Sequence, residues 1–321
     1  MGGMSNKIWD IGIVPVITNI TSMEECASLA EALKAGGIPI MEVTFRMERA
    51  EEYIRYLREN YPEILVGAGT VLTLGQAETA VAAGAQFLVS PGLNKEVVRY
   101  GNAVGVEMLP GIATPSELEQ AMELGVTCVK FFPAEQAGGV KAIKAMGGPY
   151  KNVGFVPTGG IGLANLADYF ACENVVACGG TYMLGKHLER HEWDEISALC
   201  KKSVQLMLGL QLSHVGVCLA ENEDAEAVAC QAASLLQLEI QKSKADSYFV
   251  DTGLEIVQHT AYGGKGFIAY STPCLERTVR YLNAVGSRFR RGSEKRDKSG
   301  RLKSICFEQE IAGLAVQLVQ R

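Results

Sequence analysis

The first two thirds of the chain alternate between short apolar segments and helix-like segments, and this alternation limits the folds open to it. The apolar segments are rich in β-branched residues, and helical patterns such as Met23–Ala35 lie between them. Strands of this kind that alternate with helices predict a parallel sheet covered on both faces. The apolar segments between residues 13 and 208 are Ile13–Thr18, Pro39–Phe45, Leu65–Thr70, Phe87–Pro91, Val106–Ile112, Cys128–Pro133, Val153–Gly160 and Val175–Met183. Eight such units predict a (β/α)8 barrel, with an open doubly wound sheet as the alternative.

The pattern changes after about residue 208, which predicts a second domain. There, a strand, a helix and further strands follow one another twice, without a low-complexity linker before them. The segments are strand Leu212–Leu219, a helix through Leu236, strands Tyr248–Val250, Leu254–His259 and Gly266–Ser271, helix Pro273–Val285, and strands Lys303–Phe307 and Ala312–Val319. We therefore expect a barrel over residues 1–209 and a smaller α+β domain over residues 210–321.

Bulk properties exclude several classes of partner. The formal net charge of −6 argues against nucleic acid. No apolar run approaches the roughly 20 residues that span a bilayer, and we read no signal peptide at the start of the chain. The nine cysteines are scattered without a Cys-x-x-Cys pair, which is typical of reduced thiols in a cytoplasmic protein. We expect no nucleic-acid, membrane or metal partner.

One lysine lies inside an apolar strand and is the first candidate for chemistry. Lys130 is followed at once by two phenylalanines. Burial disfavours the charged form of lysine, and a neutral amine can attack a ketone to form a Schiff base. The alternative is a strand-end lysine that extends its ammonium group to water. On this segment alone the two interpretations have similar weight.

The barrel prediction places chemistry at the carboxyl ends of the strands, and other polar residues occur there. Glu42 lies within a strand, where a carboxylate is costly unless it is paired or functional. It could act as a general base or form a structural salt bridge with Arg46 or Lys130. Arg46 could bind a substrate carboxylate or be an ordinary surface arginine.

Glycine-containing segments end the last two predicted strands, at residues 158–160 and 179–181. In barrels the ends of strands 7 and 8 are the usual phosphate site, formed by exposed backbone N–H groups. Ordinary tight turns are the alternative. Position favours phosphate binding.

Several motifs together resemble one family. They are Glu42–Arg46, Val66–Val71, Ser90–Gly92, Leu109–Gly111, Val129–Glu135 and Pro157–Ile161. In this order they resemble the 2-keto-3-deoxy-6-phosphogluconate (KDPG) aldolase family, some members of which cleave 4-hydroxy-2-oxoglutarate. The likeness covers most of residues 8–208. It implies a class I, cofactor-free and metal-free barrel that is usually a homotrimer.

The resemblance also implies roles for individual residues. Lys130 would form the Schiff base with the substrate ketone, and Glu42 would be the general acid and base. Arg46 and Thr70 would bind the substrate carboxylate. The residues lining the imine pocket and the phosphate site would be Pro91 and Phe132, and Gly159, Gly160, Gly179, Gly180 and Thr181. Met47 departs from the family pattern, in which a hydroxyl residue often follows the arginine.

Residues 212–319 resemble the glyoxalase, or vicinal-oxygen-chelate, fold of paired βαβββ modules. In that family each module supplies two metal ligands, commonly His and Glu. His214 and Glu255 occupy the two places of the first module, whereas Phe267 and Gln317 occupy those of the second. Phenylalanine cannot bind a metal and glutamine is a weak ligand, so we expect no competent metal site.

The leading hypothesis is a lyase that cleaves KDPG to pyruvate and glyceraldehyde 3-phosphate. An aldolase specific for 4-hydroxy-2-oxoglutarate or another 2-keto-3-deoxy acid is the closest alternative. A hypothesis of another class is a ligand-sensing protein in which the second domain binds the ligand. A third is a bifunctional enzyme with glyoxalase-type activity.

Overall fold

The computed structural model describes residues 5–244, 247–258 and 263–321. This part of the chain divides into two compact units, with the boundary between Met207 and Leu208. Sequence patterning put the boundary two residues later, at Gly209. Among the residues described, no helix is both long and apolar enough to cross a bilayer.

The first unit alternates strands and helices along the chain. Its strands are β1 Ile13–Ile17, β2 Ile40–Thr44, β3 Leu65–Gly69, β4 Phe87–Val89, β5 Glu107–Leu109, β6 Gly111–Ile112, β7 Cys128–Phe131, β8 Gly154–Pro157 and β9 Cys178–Gly180. Its helices are α1 Ser5–Ile11, α2 Met23–Ala35, α3 Ala50–Asn60, α4 Leu74–Ala82, α5 Lys95–Val104, α6 Pro115–Glu123, α7 Gly139–Gly147, α8 Leu166–Phe170, α9 Gly185–Glu189 and α10 Trp193–Leu208.

Parallel pairing closes these strands into a barrel. One sheet has the order β5-β4-β3-β2-β1-β9, and another has the order β6-β7-β8. Pro110 separates β5 from β6, so the predicted strand Val106–Ile112 is interrupted because proline has no N–H to donate. A parallel bridge between Thr158 and Gly179 joins β8 to β9 and completes the ring. All carboxyl ends of the strands therefore lie at one end of the barrel.

Local sequence signals explain where the helices begin. Thr114 caps α6 by accepting from the Glu117 N–H, and the Glu117 carboxylate accepts in return from the Thr114 N–H. Pro115 occupies the first helical position, where its missing N–H costs nothing. The cap fixes the chain direction just after β6, so this loop leaves the barrel at its carboxyl end.

The second unit is a mixed sheet with two helices, as far as its residues are described. Its elements are β10 Gln211–Cys218, α11 Ala225–Leu236, β11 Ile240–Lys244, β12 Ser247–Val250, β13 Leu254–Val257, β14 Gly266–Thr272, α12 Leu275–Ala284, β15 Lys295–Arg296, β16 Leu302–Ile311 and β17 Leu314–Gln320. The strand order is β11-β12-β13-β10-β14-β17-β16-β15. The predicted end of β13, His259, lies outside the described residues.

Two apolar clusters hold the helices of this unit on the sheet. Alanines of α11, among them Ala229, pack with Val250 and Ile256. Leu275 of α12 packs with Ile305 and neighbouring residues of β16 and β17. Strands β11 and β15 were not predicted, because β11 is largely polar and exposed and β15 has only two residues.

Candidate active site

Lys130 and Glu42 face each other inside the barrel. Lys130 lies on β7 and Glu42 on β2, and the distance from Lys130 Nζ to Glu42 Oε1 is 3.5 Å. Both residues are buried, with 7% and 3% of their surface exposed. The two side chains therefore form a buried ion pair whose nitrogen and oxygen lie close together. Of the two partners considered for Glu42, the structure therefore pairs it with Lys130.

The carboxylate of Glu42 is closely packed against the neighbouring strand. A Cβ on Gly69 would lie 2.3 Å from Glu42 Oε1, so any larger residue at position 69 would displace the carboxylate. Within the described residues, no hydrogen bond reaches Oε1. A buried acceptor without a hydrogen-bond donor is costly, and such atoms concentrate at functional sites.

The surroundings of Lys130 are apolar and closely packed. Its Nζ lies 5.4 Å from the centre of the Phe132 ring. Lys130 pairs with Gly111 of the adjacent strand, and a Cβ on Gly111 would lie 2.1 Å from the carbonyl oxygen of Pro91. Phe132 therefore contacts the amine directly, whereas Pro91 lies one strand further along the barrel wall.

Arg46 and Thr70 lie just beyond the carboxyl ends of β2 and β3. Arg46 is exposed and Thr70 is half-buried. Thr70 has a φ of 56°, a backbone conformation that a β-branched residue rarely adopts and that concentrates at functional sites. In the part of the chain that is described, no hydrogen bond or ion pair joins either side chain to Lys130 or Glu42.

The two glycine segments meet at the same end of the barrel. Gly159 and Gly160 follow β8 with φ angles of 99° and 77°, a conformation that favours glycine. Gly179 and Gly180 are the last residues of β9, and Thr181 follows them and is exposed. The bridge between Thr158 and Gly179 brings the two segments side by side.

This arrangement provides a buried amine, a neighbouring carboxylate and glycine-rich strand ends without a metal cluster. Among the residues described, no group of three or more His, Cys, Asp or Glu side chains could hold a metal ion. The amine can act as a nucleophile and the carboxylate as an acid or base.

Comparison with known protein families gives a match that covers most of the barrel. The family model for KDPG and KHG aldolase matches residues 4–199. The chain belongs to the KDPG and KHG aldolase family. Its N-terminal unit is therefore an aldolase, an enzyme of the lyase class. Residues 200–321 lie outside the family match.

Individual relatives agree with this assignment. The chain is 44% identical over 202 residues to a 2-dehydro-3-deoxy-phosphogluconate aldolase of Haemophilus influenzae, covering 63% of this chain and 95% of the relative. It is 46% identical over 198 residues to the enzyme of the same name from Treponema pallidum, covering 61% of this chain and 94% of the relative.

A solved structure is also similar. It is a KDPG aldolase of Legionella pneumophila with pyruvate captured as a covalent carbinolamine intermediate. The TM-score is 0.59 at 39% identity, with 61% of this chain and 96% of that chain covered. The barrel in the present chain accounts for nearly all of that protein.

The second unit carries another close pair of titratable side chains. His214 Nε2 lies 3.4 Å from Glu255 Oε2, and both side chains are largely buried. The rings of Phe249 and Phe267 contact the His214 ring edge-on, with centroids 5.1 and 5.6 Å away. The opposite oxygen of Glu255 accepts a hydrogen bond of 2.8 Å from Ser247 Oγ.

The two places of the second module do not supply metal ligands here. Phe267 covers Gly216, where an added Cβ would lie 2.1 Å from the phenyl ring. Gln317 is half-buried on β17 at the level of Ala269, which in turn pairs with His214. The described residues around His214 therefore do not supply the three protein ligands that a catalytic divalent metal needs.

Two side-chain contacts were not predicted from the sequence: that of Ser247 with Glu255 and that of Glu135 with Tyr169. Ser247 gave no signal, because a lone serine at a strand start is common. Glu135 was part of the recognised motif but had no role, and its partner Tyr169, to which it is hydrogen-bonded, lies 34 residues away. A hydrogen bond between such distant positions has no local sequence signature.

Proposed function

We propose that the aldolase barrel cleaves KDPG to pyruvate and glyceraldehyde 3-phosphate by a class I mechanism. The observation that carries the proposal is the buried Lys130–Glu42 pair, with 3.5 Å between Nζ and Oε1. The names of the relatives and their high coverage by this chain support the same substrate.

Catalysis begins with attack of the Lys130 amine on the C2 ketone of the substrate. Glu42 accepts a proton from the ammonium group, because it is the nearby base at the same depth. Glu42 then returns this proton to the hydroxyl of the resulting carbinolamine, which loses water and becomes a protonated imine, so that Glu42 is a carboxylate again. The imine binds the substrate covalently and creates an electron sink at C2.

Cleavage of the C3–C4 bond follows. Glu42 takes the proton of the C4 hydroxyl as the aldehyde forms, and the electron pair of the broken bond moves through C3 to the imine nitrogen. The enamine then accepts a proton at C3, and hydrolysis releases pyruvate and regenerates the Lys130 amine. No metal is required, because the imine nitrogen takes up the charge that a plain ketone would hold poorly.

The remaining residues bind the two ends of the substrate. We assign Arg46 and Thr70, at neighbouring strand ends, to the carboxylate next to the ketone. Phe132 and Pro91 line the pocket around the imine. The residues assigned to the phosphate are Gly159, Gly160, Gly179, Gly180 and Thr181.

An aldolase specific for 4-hydroxy-2-oxoglutarate is the second candidate, since the family model covers both substrates. The juxtaposed glycine segments favour the phosphorylated one. Pyruvate release should be measured for KDPG and 4-hydroxy-2-oxoglutarate under the same conditions. We expect kcat/KM for KDPG to be higher by at least about tenfold, since phosphate adds charge-assisted hydrogen bonds. Equal or reversed values would favour the alternative.

We further propose that the barrel forms a homotrimer in the cytoplasm. The resemblance to the aldolase family supports the trimer, and nine cysteines without a disulfide among the described residues are consistent with a reducing compartment. Light scattering of the full chain tests the trimer, and a monomer would contradict it.

For the second unit we propose a glyoxalase-like fold that does not bind a catalytic metal. Two successive strand–helix–three-strand units around one mixed sheet support this fold. A ligand-binding module remains the alternative function for this unit. Full-length protein should be assayed with the hemithioacetal of methylglyoxal and glutathione as substrate. We expect no turnover of this substrate, whereas turnover would establish a bifunctional enzyme.

A further inference from the structure

The Gly159–Gly160 turn is held from two sides by residues outside it. One side is the loop that follows β7 and therefore continues directly from Lys130. The N–H of Ala134 donates to the Thr158 carbonyl at 2.8 Å, and the N–H of Glu135 donates to the Gly159 carbonyl at 3.2 Å. These bonds use the carbonyl oxygens of the turn, so its N–H groups are not consumed by them.

The side chain of Glu135 also shapes the turn. A Cβ on Gly160 would lie 2.5 Å from Glu135 Cγ and 2.7 Å from its Cβ. The methylene groups of Glu135 therefore fill the space that a side chain at position 160 would need. The requirement for glycine at position 160 comes from this contact as well as from the positive φ.

The second side of the turn is held by α8 and the residue before it. Asn165 Nδ2 donates to the Gly160 carbonyl at 3.0 Å. Tyr169 is fully buried, and its hydroxyl donates to Glu135 Oε1. Burial, and then the neighbouring carboxylate, raise the pKa of Tyr169, so the hydroxyl remains a donor over the working pH range.

The hydrogen bond also determines where the charge of Glu135 lies. Glu135 Oε1 and Tyr169 Oη both lie against the first residue of α7, because a Cβ on Gly139 would be 3.1 and 3.3 Å from them. The carboxylate is thereby held at α7 and α8. Without the tyrosine hydroxyl, the exposed carboxylate could rotate, and an anion near the glycine N–H groups would repel phosphate.

We infer that Glu135 and Tyr169 are positioning residues for the phosphate end of the substrate. They fix the Gly159–Gly160 turn and hold the Glu135 carboxylate away from its N–H groups. The inference rests on the proposed function, in which this turn binds phosphate. Neither residue touches the reacting atoms, so the effect should be confined to the recognition of phosphate.

The test compares two substrates in wild type and in variants of the full chain. KDPG carries the phosphate and 4-hydroxy-2-oxoglutarate does not. The quantity measured is the ratio of kcat/KM for KDPG to kcat/KM for 4-hydroxy-2-oxoglutarate. Tyr169→Phe removes the hydroxyl but keeps the ring. We expect the ratio to fall about tenfold in this variant, mainly through a higher KM for KDPG. Glu135→Gln keeps the methylene groups and an acceptor oxygen without the charge, so its ratio should stay within about threefold of wild type. Inhibition by inorganic phosphate should weaken about tenfold in Tyr169→Phe.

Tyr150→Phe is the matched control. Tyr150 donates to Glu119 at 2.7 Å on the surface of the barrel, away from the turn. Its substrate ratio should equal that of wild type. If Tyr169→Phe folds poorly, Glu135→Ala tests the other part of the inference, because it removes the methylene groups that pack against Gly160. Its ratio should also fall, since the turn is then no longer held on that side.

An unchanged ratio in Tyr169→Phe and Glu135→Ala would overturn the inference, as would an equal loss on both substrates, which indicates only structural damage. Wild-type protein incubated with pyruvate and borohydride separates this failure from failure of the proposed function. Adduct formation with an unchanged ratio rejects the positioning role alone. Absence of the adduct rejects the class I mechanism and the inference with it.

Discussion

Each of the two units contains a largely buried carboxylate beside a basic side chain, yet the surroundings of the two pairs differ. In the barrel, Glu42 Oε1 lies 3.5 Å from Lys130 Nζ and receives no hydrogen bond from the described residues. In the second unit, Glu255 lies 3.4 Å from His214 and also accepts from Ser247. Distance alone therefore does not distinguish the pair to which we assign catalysis from the pair to which we assign none.

The two carboxylates differ in the other contacts that their oxygens make. Glu255 is held on both oxygens, so proton transfer would break existing bonds. Glu42 has room made for it by Gly69, and its Oε1 faces Lys130 without accepting a hydrogen bond from the described residues. The barrel pair also lies at the end where the strand-end glycines converge. The predictions below test this contrast, beginning with the largest effect.

Replacement of the lysine should have the largest effect. Lys130→Arg keeps a cation beside Glu42 but cannot form an imine, so cleavage should fall on the order of 10⁴-fold or more. Pyruvate release under saturating substrate measures the loss. Residual activity within about tenfold of wild type would remove Lys130 from the role of nucleophile.

Neutralising the carboxylate should have the next largest effect. Glu42→Gln keeps the shape but cannot accept a proton, and kcat should fall about 10²- to 10⁴-fold. The matched change Glu255→Gln in the second unit should leave kcat within about twofold. Similar losses in both variants would abolish the contrast between the two pairs.

A third carboxylate, that of Glu107, tests the effect of burial at a residue without a proposed role in catalysis. Glu107 begins β5, at the amino end of the barrel, and burial raises its pKa to about 7. The folded state therefore binds this proton more tightly than the unfolded state, so the group favours folding at low pH. As pH rises from about 5 to 8, the free energy of unfolding should fall by about 1–2 kcal/mol, allowing for the partial exposure of the carboxyl.

The fluorescence of Trp9 and Trp193 follows this transition in the barrel, since both tryptophans of the chain lie there. Glu107→Gln should flatten the pH dependence of urea unfolding without lowering kcat. The same slope in wild type and variant would assign the dependence to another group.

The smallest effect is expected from the histidine of the second unit. His214→Ala should leave aldol cleavage within about twofold, because the proposed mechanism assigns no step to His214. Purified wild-type protein should contain well under one divalent metal ion per chain. A stoichiometric metal that is lost in His214→Ala would show that the second pair is a metal site.

The barrel could be predicted from the sequence because its signals are local and repeated. Apolar strands recur at regular spacing, and Thr114-Pro115 marks the start of a helix by its own chemistry. The interruption at Pro110 was missed, although proline is the residue that ends strand pairing. The small edge strands β11 and β15 were missed because their residues are mainly polar.

The site could be predicted only in part. Lys130 and Glu42 stood out because charged residues are unusual within buried strands. Their 3.5 Å separation depends on the closure of the barrel, which brings together strands 88 residues apart in sequence. The Glu135–Tyr169 contact and the Ser247–Glu255 contact arise from packing alone, and no local pattern predicts such pairs.

Trapping of the Schiff base tests the central claim most directly. The full chain is incubated with pyruvate, reduced with borohydride, digested and mapped by mass spectrometry. We predict one reduced pyruvate adduct, on Lys130, and none in Lys130→Arg. An adduct on another lysine, or none in wild type, would contradict the assignment of Lys130 as the nucleophile of this aldolase.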